Sequence, residues 1–168
     1  MTALAVMPDL PVTAVGVVVP ARNEQDRISR CLASLRRALA HAPDGVATAV
    51  VVVLDRCTDA TPERVARSID DWPEATTIIV HDEIPAGCAT IGRTVPAAAL
   101  RGSGVGARRD LGLRAVLDRL SSHPTAGTWL LSTDADTTVP VDWVAAHLRH
   151  AADGAHAVAG LADLAATE

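Results

Sequence analysis

The feature that most constrains this chain is a repeated switch between apolar runs of strand length and segments with helical spacing. Residues 15–19 and 49–54 are continuous aliphatic runs rich in valine, which is typical of strands buried on both faces. Between the two runs, apolar residues recur at helical spacing: Ile28, Leu32, Leu35 and Leu39. This spacing predicts an amphipathic helix between two strands, which is the beginning of a parallel βαβ arrangement.

The same alternation continues along the chain. A second helix is predicted to begin with Thr61 as its N-cap, Pro62 at its first position and Glu63 in its first turn, and to end near Ile69. Further helices are predicted over 105–120 and from Pro140 to Gly154, and further strands over 76–80, 128–131 and 156–159. The segment 84–105 is rich in Gly, Pro and Ala and is predicted to be a loop. These elements predict an α/β fold with a three-layer, doubly wound and mostly parallel sheet, formed by a single domain over residues 1–168.

Composition narrows the classes of ligand. The chain has no Phe and no Tyr, and its aromatic residues are Trp72, Trp129 and Trp143. A platform for single-stranded nucleic acid needs more aromatic faces than this, and the net charge of −5 also argues against a nucleic-acid partner. The adjacent Arg108 and Arg109 form a local basic patch that suits a small anionic ligand better than a polymer.

The cysteines and the apolar stretches indicate a cellular location. Cys31, Cys57 and Cys88 have neither CxxC spacing nor an even count, so we predict reduced thiols in a cytoplasmic protein. No basic segment precedes the apolar residues at the N-terminus, so a signal peptide is not expected. The longest apolar stretch, residues 45–54, is too short to span a bilayer, although a peripheral position at a membrane surface stays open.

Acidic residues follow three of the predicted strands. Glu24 follows the first strand, Asp55 and Asp59 follow the second, and Asp134 and Asp136 follow the strand at 128–131. Ligands on doubly wound sheets bind outside the carboxyl ends of the strands, so these carboxylates should meet on one rim. There they would repel one another unless a cation or hydrogen-bond donors lie between them. Each also has an ordinary alternative role as a turn residue or a first-turn acid of a helix.

Asp134 and Asp136 have the spacing of a metal site. Side chains two positions apart on an extended segment point to the same side, so both carboxylates can reach one divalent ion. Mg²⁺ and Mn²⁺ prefer such oxygen ligands and commonly share them with substrate phosphates. A bound cation also reverses the local field for an anionic diphosphate. We therefore predict a divalent metal here; the alternative is a solvated acidic turn.

Four segments, taken in chain order, match a known pattern. They are residues 17–24 (VVVPARNE), 53–61 (VLDRCTDAT), 106–112 (GARRDLG) and 131–136 (LSTDAD). They resemble the first strand, the Val-Asp-Asp-Gly-Ser-Thr-Asp-Gly-Thr segment, the Ala-Arg-Asn-x-Gly segment and the DxD strand end of glycosyltransferase family 2. Four motifs in order are more specific than any one of them. The resemblance implies a GT-A fold and a metal-dependent, inverting transfer of a sugar, of hexosyltransferase type, from a UDP- or GDP-sugar donor to an unidentified acceptor.

The resemblance also implies roles for individual positions. It assigns the following residues to the nucleotide-sugar pocket: Pro20, Ala21, Glu24, Asp55, Arg109 and Asp134. Pro20, Ala21 and Glu24 would line the site of the base and ribose, and Asp55 would hydrogen-bond the base. Arg109 would lie near the diphosphate, because a guanidinium fork suits phosphate oxygens. Asp136 would bind the metal, with Asp134 near the ribose or a metal-bound water.

The chain departs from the family pattern at several of these positions. Leu54 replaces the first acid of the Asp-Asp pair, Arg56 and Cys57 replace Gly and Ser, and Asp110 stands where Asn is frequent. These departures leave the identity of the nucleotide open. Arg56 is either a phosphate or base contact or a solvated surface arginine. Cys57 is predicted to be a small turn residue rather than a nucleophile, because no His or Lys lies beside it in the sequence.

Three further features have ordinary interpretations. His147 and His150 lie three positions apart on a predicted helix and are interpreted as surface histidines rather than metal ligands. The glycine-rich residues 102–106 are interpreted as a flexible lead-in to the next helix, since they do not follow the first strand as a dinucleotide loop would. Trp143 is predicted to pack in the core, where it can brace the acidic turn.

The acceptor side of the reaction has no identifiable residues. In the family, the general base that deprotonates the acceptor hydroxyl comes from the segment beyond about 150 residues. Residues 162–168 resemble an interrupted continuation, so the acceptor side is expected to be largely missing or supplied by a homodimer or a partner chain. Two hypotheses therefore stay open: an active glycosyltransferase, and a truncated or inactive nucleotide-sugar-binding module. A nucleotidyltransferase is disfavoured because residues 20–24 stand where its basic, Gly-rich loop would lie.

Overall fold

Strands and helices alternate along most of the described part of the chain. The structure, a computed structural model, describes residues 11–82, 92–100, 102, 104–161 and 163. In order, the elements are β1 (Ala14–Ala21), α1 (Ile28–Ala40), β2 (Ala47–Asp55), α2 (Thr61–Ile69), β3 (Ala75–His81), β4 (Arg93–Pro96), α3 (Val105–Arg119), β5 (Thr128–Ser132) and α4 (Trp143–Ala152). Short 3-10 helices, Ala97–Ala99 and Thr125–Gly127, precede α3 and β5. Within these ranges no helix is both long and apolar enough to cross a membrane.

The strands form one sheet in the order β4-β3-β2-β1-β5, and each neighbouring pair is parallel. The chain first moves outward from β1 to β4 and then returns as β5 to the other side of β1. The direction of winding therefore reverses between β1 and β5. On open sheets of this kind, ligands bind in the crevice outside the carboxyl ends of the two strands at the reversal. The predicted α/β fold with a doubly wound parallel sheet is confirmed.

Helices cover both faces of the sheet, because successive residues of a strand point to opposite faces. Val17 and Val19 of β1 pack in one core, together with apolar residues of α1, α2 and α4. Val18 belongs to the second core, together with Val116 of α3. Each fully buried valine stabilises the fold by roughly 1.5 kcal/mol or more. Polar loops lie outside these two cores, at the strand ends.

Gly112 allows α3 to lie directly on the sheet. A Cβ atom at this position would be only 2.1 Å from Cγ2 of Val18, so any larger residue would push the helix outward. This close approach sets the height of α3 above β1 and β2. It thereby determines where the neighbouring Arg108 and Arg109 lie relative to the strand ends.

Of two predicted helix ends, the start of α2 differs from the structure and the end of α4 agrees with it. Thr61 is the first residue of α2, and Ala60 is its N-cap, so the prediction of Thr61 as N-cap was wrong. The predicted end of the last helix at Gly154 is confirmed. Gly154 has a φ of 87°, its N–H donates to the carbonyl of Ala151, and the N–H of Ala155 donates to that of His150. These paired hydrogen bonds form a Schellman motif.

Two predicted segments differ from the structure. The described part of the predicted loop 84–105 contains β4, which pairs with β3 at the edge of the sheet. Its four residues end in a proline, which a sheet accepts only at an edge or a strand end, and such a short run has no periodicity to detect. Residues 84–91, with Cys88, lie outside the described residues. The strand predicted over 156–159 does not form, and this segment is irregular.

Candidate functional site

The candidate site lies at the carboxyl ends of β1, β2 and β5. The segments that follow these strands carry acidic residues, and the N-terminal half of α3 brings two arginines to the same edge. Arg108 reaches the end of β2, whereas Arg109 reaches the end of β5. The site therefore has two sets of carboxylates, one at the end of β2 and one at the end of β5. One arginine of α3 reaches each set.

The turn after β5 exposes both of its carboxylates. Thr133 and Ala135 are 8% and 3% exposed, whereas the side chains of Asp134 and Asp136 are 59% and 47% exposed. This alternation puts both aspartates on the solvent side of the turn. Two oxygen donors on one accessible side are compatible with a hard divalent cation.

Cys31 shows that three carboxylates share this neighbourhood. The thiol is buried on α1, and its Sγ donates a hydrogen bond to the backbone carbonyl of Asp134 at 3.5 Å. Burial, with the negative charges of Asp136, Asp134 and Glu24 adding to it, raises the pKa of Cys31 to about 12. The contacts show the same grouping, because Arg27 lies against both Glu24 and Asp136. The structure therefore brings together Glu24 and the two aspartates of the acidic turn.

Two arginines partly neutralise this carboxylate group. Nε of Arg27 lies 2.9 Å from Oε2 of Glu24, and its Nη1 lies 4.0 Å from Oδ2 of Asp136. Arg109 forms an ion pair with Asp134, and its Nε donates to Oγ of Ser132 at 3.0 Å. The side chains of both arginines are about a third or more exposed. Ion pairs as exposed as these are weak, so the arginines can exchange partners at low cost.

Asp55, the last residue of β2, is held in a buried ion pair. Nε of Arg108 lies 3.0 Å from its Oδ2, and Nη2 of Arg108 donates to its Oδ1 at 3.1 Å. Nε of Arg56 donates to Oδ1 at 3.0 Å. Burial raises the pKa of Asp55, but the hydrogen bonds and charges of the two arginines outweigh it and hold the pKa below its ordinary value. Asp55 is therefore a fixed anion at neutral pH.

Arg56 has an unusual backbone conformation for its residue type. Its φ is 48°, which lies in the left-handed region that favours glycine. The family segment that this part of the chain resembles has glycine at the matching position. The side chain extends from Asp55 to Asp82, to which its Nη1 donates at 3.2 Å. Arg56 is thus neither a solvated arginine nor deeply buried, but a bridge between two aspartates on the rim.

A hydrogen-bond network joins the segments that follow β1 and β2. Oδ1 of Asn23, a residue with a φ of 56°, accepts from the backbone N–H of Thr58 at 2.8 Å. The N–H of Glu24 donates to the hydroxyl of Thr61 at 2.7 Å, and this hydroxyl donates to Asp59 at 2.5 Å. Groups held by such side-chain networks are preorganised for binding. The network fixes Glu24 where β1 ends.

The residues predicted for the pocket divide into two groups. Glu24, Asp134, Asp136 and Arg109 meet at the carboxyl ends of β1 and β5, as described above. Pro20 and Ala21 are buried as the last two residues of β1 and pair with β2, next to Asp55. Among the described residues, the hydrogen bonds and ion pairs of Asp55 go to Arg56 and Arg108 and not to the acidic turn. The roles of all these residues in binding stay predictions.

Two arginines of the site were not among the predicted pocket residues. Arg27 lies three positions after Glu24, and this i,i+3 spacing of opposite charges is a local signal that predicts their pairing. The sequence indicates Arg108 only as part of a basic patch. Its partner Asp55 is 53 positions away in the sequence, so no local pattern relates the two residues.

The two histidines of α4 differ in exposure, and neither belongs to a metal-binding group among the described residues. His150 is exposed as predicted, but His147 is half-buried, with its ring 5.3 Å from that of Trp143 and 6.5 Å from that of Trp129. Burial and the neighbouring His150 lower the pKa of His147. Within the described ranges, no group of three or more His, Cys, Asp or Glu side chains is arranged to hold a metal ion. A cation at the acidic turn would therefore need further oxygen ligands from water or phosphate, as Mg²⁺ commonly has.

The chain is similar in structure to proteins of known structure. No protein-family model matches the chain, and no curated protein matches it. Among solved structures, the chain is similar to the crystal structure of S. aureus TarS 1-349, with a TM-score of 0.49 and 16% sequence identity. The match covers 83% of this chain and 32% of that one, so the chain spans about a third of that protein's length.

Proposed function

We propose that this chain is the donor-binding part of a metal-dependent glycosyltransferase that uses a nucleoside-diphosphate sugar. The observation that carries the proposal is the grouping of Glu24, Asp134 and Asp136 at the crevice between β1 and β5. Arg27 contacts both Glu24 and Asp136 there, and Arg109 pairs with Asp134. A cluster of three carboxylates with exposed arginines beside it suits a ligand that brings both a cation and negative charge. A metal–diphosphate complex has both properties.

The acidic turn and the two exposed arginines would bind this complex. Asp136, with Asp134, would hold Mg²⁺ or Mn²⁺ on the exposed side of the turn, and phosphate and water oxygens would complete the coordination. When bound, such a cation stabilises the negative charge of a departing diphosphate. Arg109 and Arg27 pair only weakly with the carboxylates, so they can turn to the phosphate oxygens, for which a guanidinium is well suited.

The nucleoside would lie across β1 towards the end of β2. Neighbouring strands are about 4.8 Å apart, so the ends of β5 and β2 are separated by roughly 10 Å, which is about the reach of a nucleoside from its phosphates. Pro20 and Ala21 form the strand end between the two charged groups. Asp55 and its arginines would then form the side of the pocket that faces the base.

Sugar transfer with inversion is the reaction that this donor site would serve. We propose it for the protein of which this donor site is a part, and we assign the base that deprotonates the acceptor to no residue. A carboxylate from an acceptor-side segment would have that role. If the chain binds the donor without turning it over, the function is that of a nucleotide-sugar-binding module.

Calorimetry tests the donor site directly. The chain is titrated with UDP and GDP, with and without Mn²⁺, and the same titrations are made with Asp136→Asn. We expect Mn²⁺ to tighten the binding of at least one nucleotide. In the presence of Mn²⁺, Asp136→Asn should weaken the binding of that nucleotide by at least about tenfold, because even second-shell changes at metal sites cost 10–100-fold.

Asp142→Asn is the matched control, since Asp142 is exposed just before α4 and pairs with Arg149 rather than with the site. It should leave binding unchanged. If the nucleotide affinity is the same with and without Mn²⁺ and is unchanged in Asp136→Asn, the metal site is refuted. Release of sugar from a labelled UDP- or GDP-sugar by the 168-residue chain would identify an enzyme, and metal-dependent binding without release would identify a binding module.

A further inference from the structure

We propose that Arg56 selects the base of the donor nucleotide and favours a base with two adjacent acceptor atoms, guanine or cytosine, over uracil, thymine and adenine. This inference rests on the proposed function, because it concerns the base side of the same pocket. It changes the role implied for Asp55, which would act through Arg56 instead of contacting the base itself.

Both oxygens of the Asp55 carboxylate lie against the two arginines. A carboxylate offers about four lone-pair positions. Oδ1 accepts from Nε of Arg56 at 3.0 Å and from Nη2 of Arg108 at 3.1 Å. Oδ2 accepts from Nη2 of Arg56 at 3.5 Å and lies 3.0 Å from Nε of Arg108. A base N–H would have to compete with two guanidinium groups for a carboxylate whose side chain is only 12% exposed, whereas the side chain of Arg56 is 32% exposed.

Of the two arginines, Arg56 is the one that a ligand can reach. The side chain of Arg108 is 5% exposed, and its Nη1 donates to the backbone carbonyl of Gly104. The side chain of Arg56 is 32% exposed. Its Nη1 donates once to Asp82 and its Nη2 once to Asp55. Each terminal nitrogen carries a second N–H, and neither of these has an acceptor among the residues that the structure describes.

The backbone of Arg56 supports a role for its side chain. A left-handed conformation is strained for a residue with a Cβ atom, and glycine adopts it freely. Strained conformations that are held by the surrounding structure occur preferentially at functional sites. Here Asp55 and Asp82 hold the guanidinium from two sides, so the strained residue carries a side chain in a defined position at the rim.

The preference for particular bases follows from the donors of a guanidinium. Arginine donates hydrogen bonds and accepts none, and a pair of its N–H groups matches two adjacent acceptors such as O6 and N7 of guanine. Cytosine offers N3 and O2 in the same manner. In uracil and thymine an N–H separates the two carbonyl oxygens, and in adenine an amino group lies beside N7. These three bases present a donor where Arg56 also presents one.

The test is a comparison of nucleoside diphosphates that differ only in the base. GDP, CDP, UDP and ADP are titrated with Mn²⁺ into the wild type, Arg56→Gly and Arg56→Lys. We expect GDP or CDP to bind the wild type about tenfold tighter than UDP and ADP, as a bidentate contact allows. Both substitutions should reduce this ratio to below about threefold, because lysine keeps the charge but loses the planar pair of donors.

Controls separate this inference from the proposed function. Arg36→Lys alters an exposed arginine of α1 that pairs with Asp71, and it should leave the ratio of nucleotide affinities unchanged. Arg56→Asn, which also tolerates a left-handed backbone, replaces Arg56→Gly if the latter does not fold, with folding checked by circular dichroism. Tightest binding of GDP identifies guanine, and tightest binding of CDP identifies cytosine.

Two results would overturn the inference. If UDP or ADP binds the wild type as tightly as GDP and CDP in the presence of Mn²⁺, or if the ratio persists in Arg56→Gly, Arg56 does not select the base although the donor site stands. If none of the four nucleotides binds, the proposed function fails together with this inference.

Discussion

The ends of β2 and β5 each join an aspartate to an arginine of α3, but the two pairs differ in burial. Arg108 and Asp55 at the end of β2 have side chains that are 5% and 12% exposed. Arg109 and Asp134 at the end of β5 are 35% and 59% exposed. The two arginines are consecutive in the sequence. One helix thus supplies a buried pair and an exposed pair to the same rim.

This difference separates two physical roles. A buried charge that loses its partner has no water to replace it, so the partner is effectively permanent. An exposed ion pair competes with water and contributes little stability, so either member can leave it to bind a ligand. The end of β2 therefore fixes the geometry of the rim, whereas the end of β5 keeps its charged groups available. A binding site on a rigid sheet needs both properties.

Removal of each arginine in turn should show the largest contrast. Arg108→Ala leaves Asp55 buried with Arg56 as its remaining partner, and we expect a loss of about 3 kcal/mol in the free energy of unfolding. Arg109→Ala removes an exposed pair and should cost less than about 1 kcal/mol. Urea denaturation measures both values under identical conditions.

Nucleotide affinity should fall more in Arg109→Ala than in Arg108→Ala, which is the reverse of their order in stability. Arg109→Ala should weaken the binding of GDP or UDP with Mn²⁺ while the protein stays folded, because its guanidinium is proposed to contact the diphosphate. Equal losses of stability for the two variants, or a binding defect confined to Arg108→Ala, would contradict the separation of roles between the two strand ends.

The same comparison shows what the sequence could predict. The strands β1, β2, β3 and β5 and all four helices follow from apolar runs and helical spacing, which are local signals. The edge strand β4 was missed and a strand at 156–159 was wrongly predicted, because a short strand exists only through pairing with a neighbour that sequence periodicity does not identify. The elements were therefore predictable where their own pattern is long enough.

For the site, the sequence predicted which residues lie at the strand ends but not which of them pair. The gathering of Glu24 with Asp134 and Asp136 follows from the rule that ligands bind at the carboxyl ends of parallel strands. The pairing of Arg108 with Asp55 depends on how closely α3 approaches the sheet, which Gly112 and Val18 set through direct packing. Such a contact is a consequence of tertiary structure alone.

A smaller effect is expected from pH, because protonation removes a charge but leaves the side chain in place. The pKa of Asp55 is lower in the folded chain than its ordinary value of about 3.9, so its ionised form stabilises the fold. This contribution is fully present above the pKa of the unfolded chain and is lost as the pH falls through the lower, folded pKa. The free energies of unfolding of the wild type and Asp55→Asn should therefore differ by a constant amount from pH 7 to about pH 5.

Below about pH 4 the two curves should converge, since the wild-type carboxyl becomes neutral as asparagine always is. Urea denaturation at a series of pH values measures this difference. Asp59 and Asp71, whose pKa values are also lowered, are present in both proteins and cancel. A difference that stays constant to the lowest pH at which the protein folds, or that widens, would show that the charge of Asp55 is not what its arginines stabilise.

The smallest expected effect concerns the two described thiols, which report separately on the two strand ends. Burial and the charges of Asp136, Asp134 and Glu24 raise the pKa of Cys31 to about 12, so the thiol is almost entirely protonated at pH 8. Burial also raises the pKa of Cys57, with contributions from Asp59 and Asp55. Alkylation with iodoacetamide, located by peptide mass spectrometry, should therefore be slow at both residues in the folded protein.

Asp136→Asn should accelerate alkylation of Cys31 but not of Cys57. Asp55→Asn should accelerate alkylation of Cys57 but not of Cys31. The reason is that different carboxylates raise the pKa of each thiol. Both increases should be modest, because burial is the largest cause of each raised pKa and neither substitution removes it. Alkylation in urea gives the upper limit of the rate. If either substitution accelerated the alkylation of both thiols equally, the carboxylates at the ends of β2 and β5 would act on both thiols together. The two strand ends would then not have separate roles.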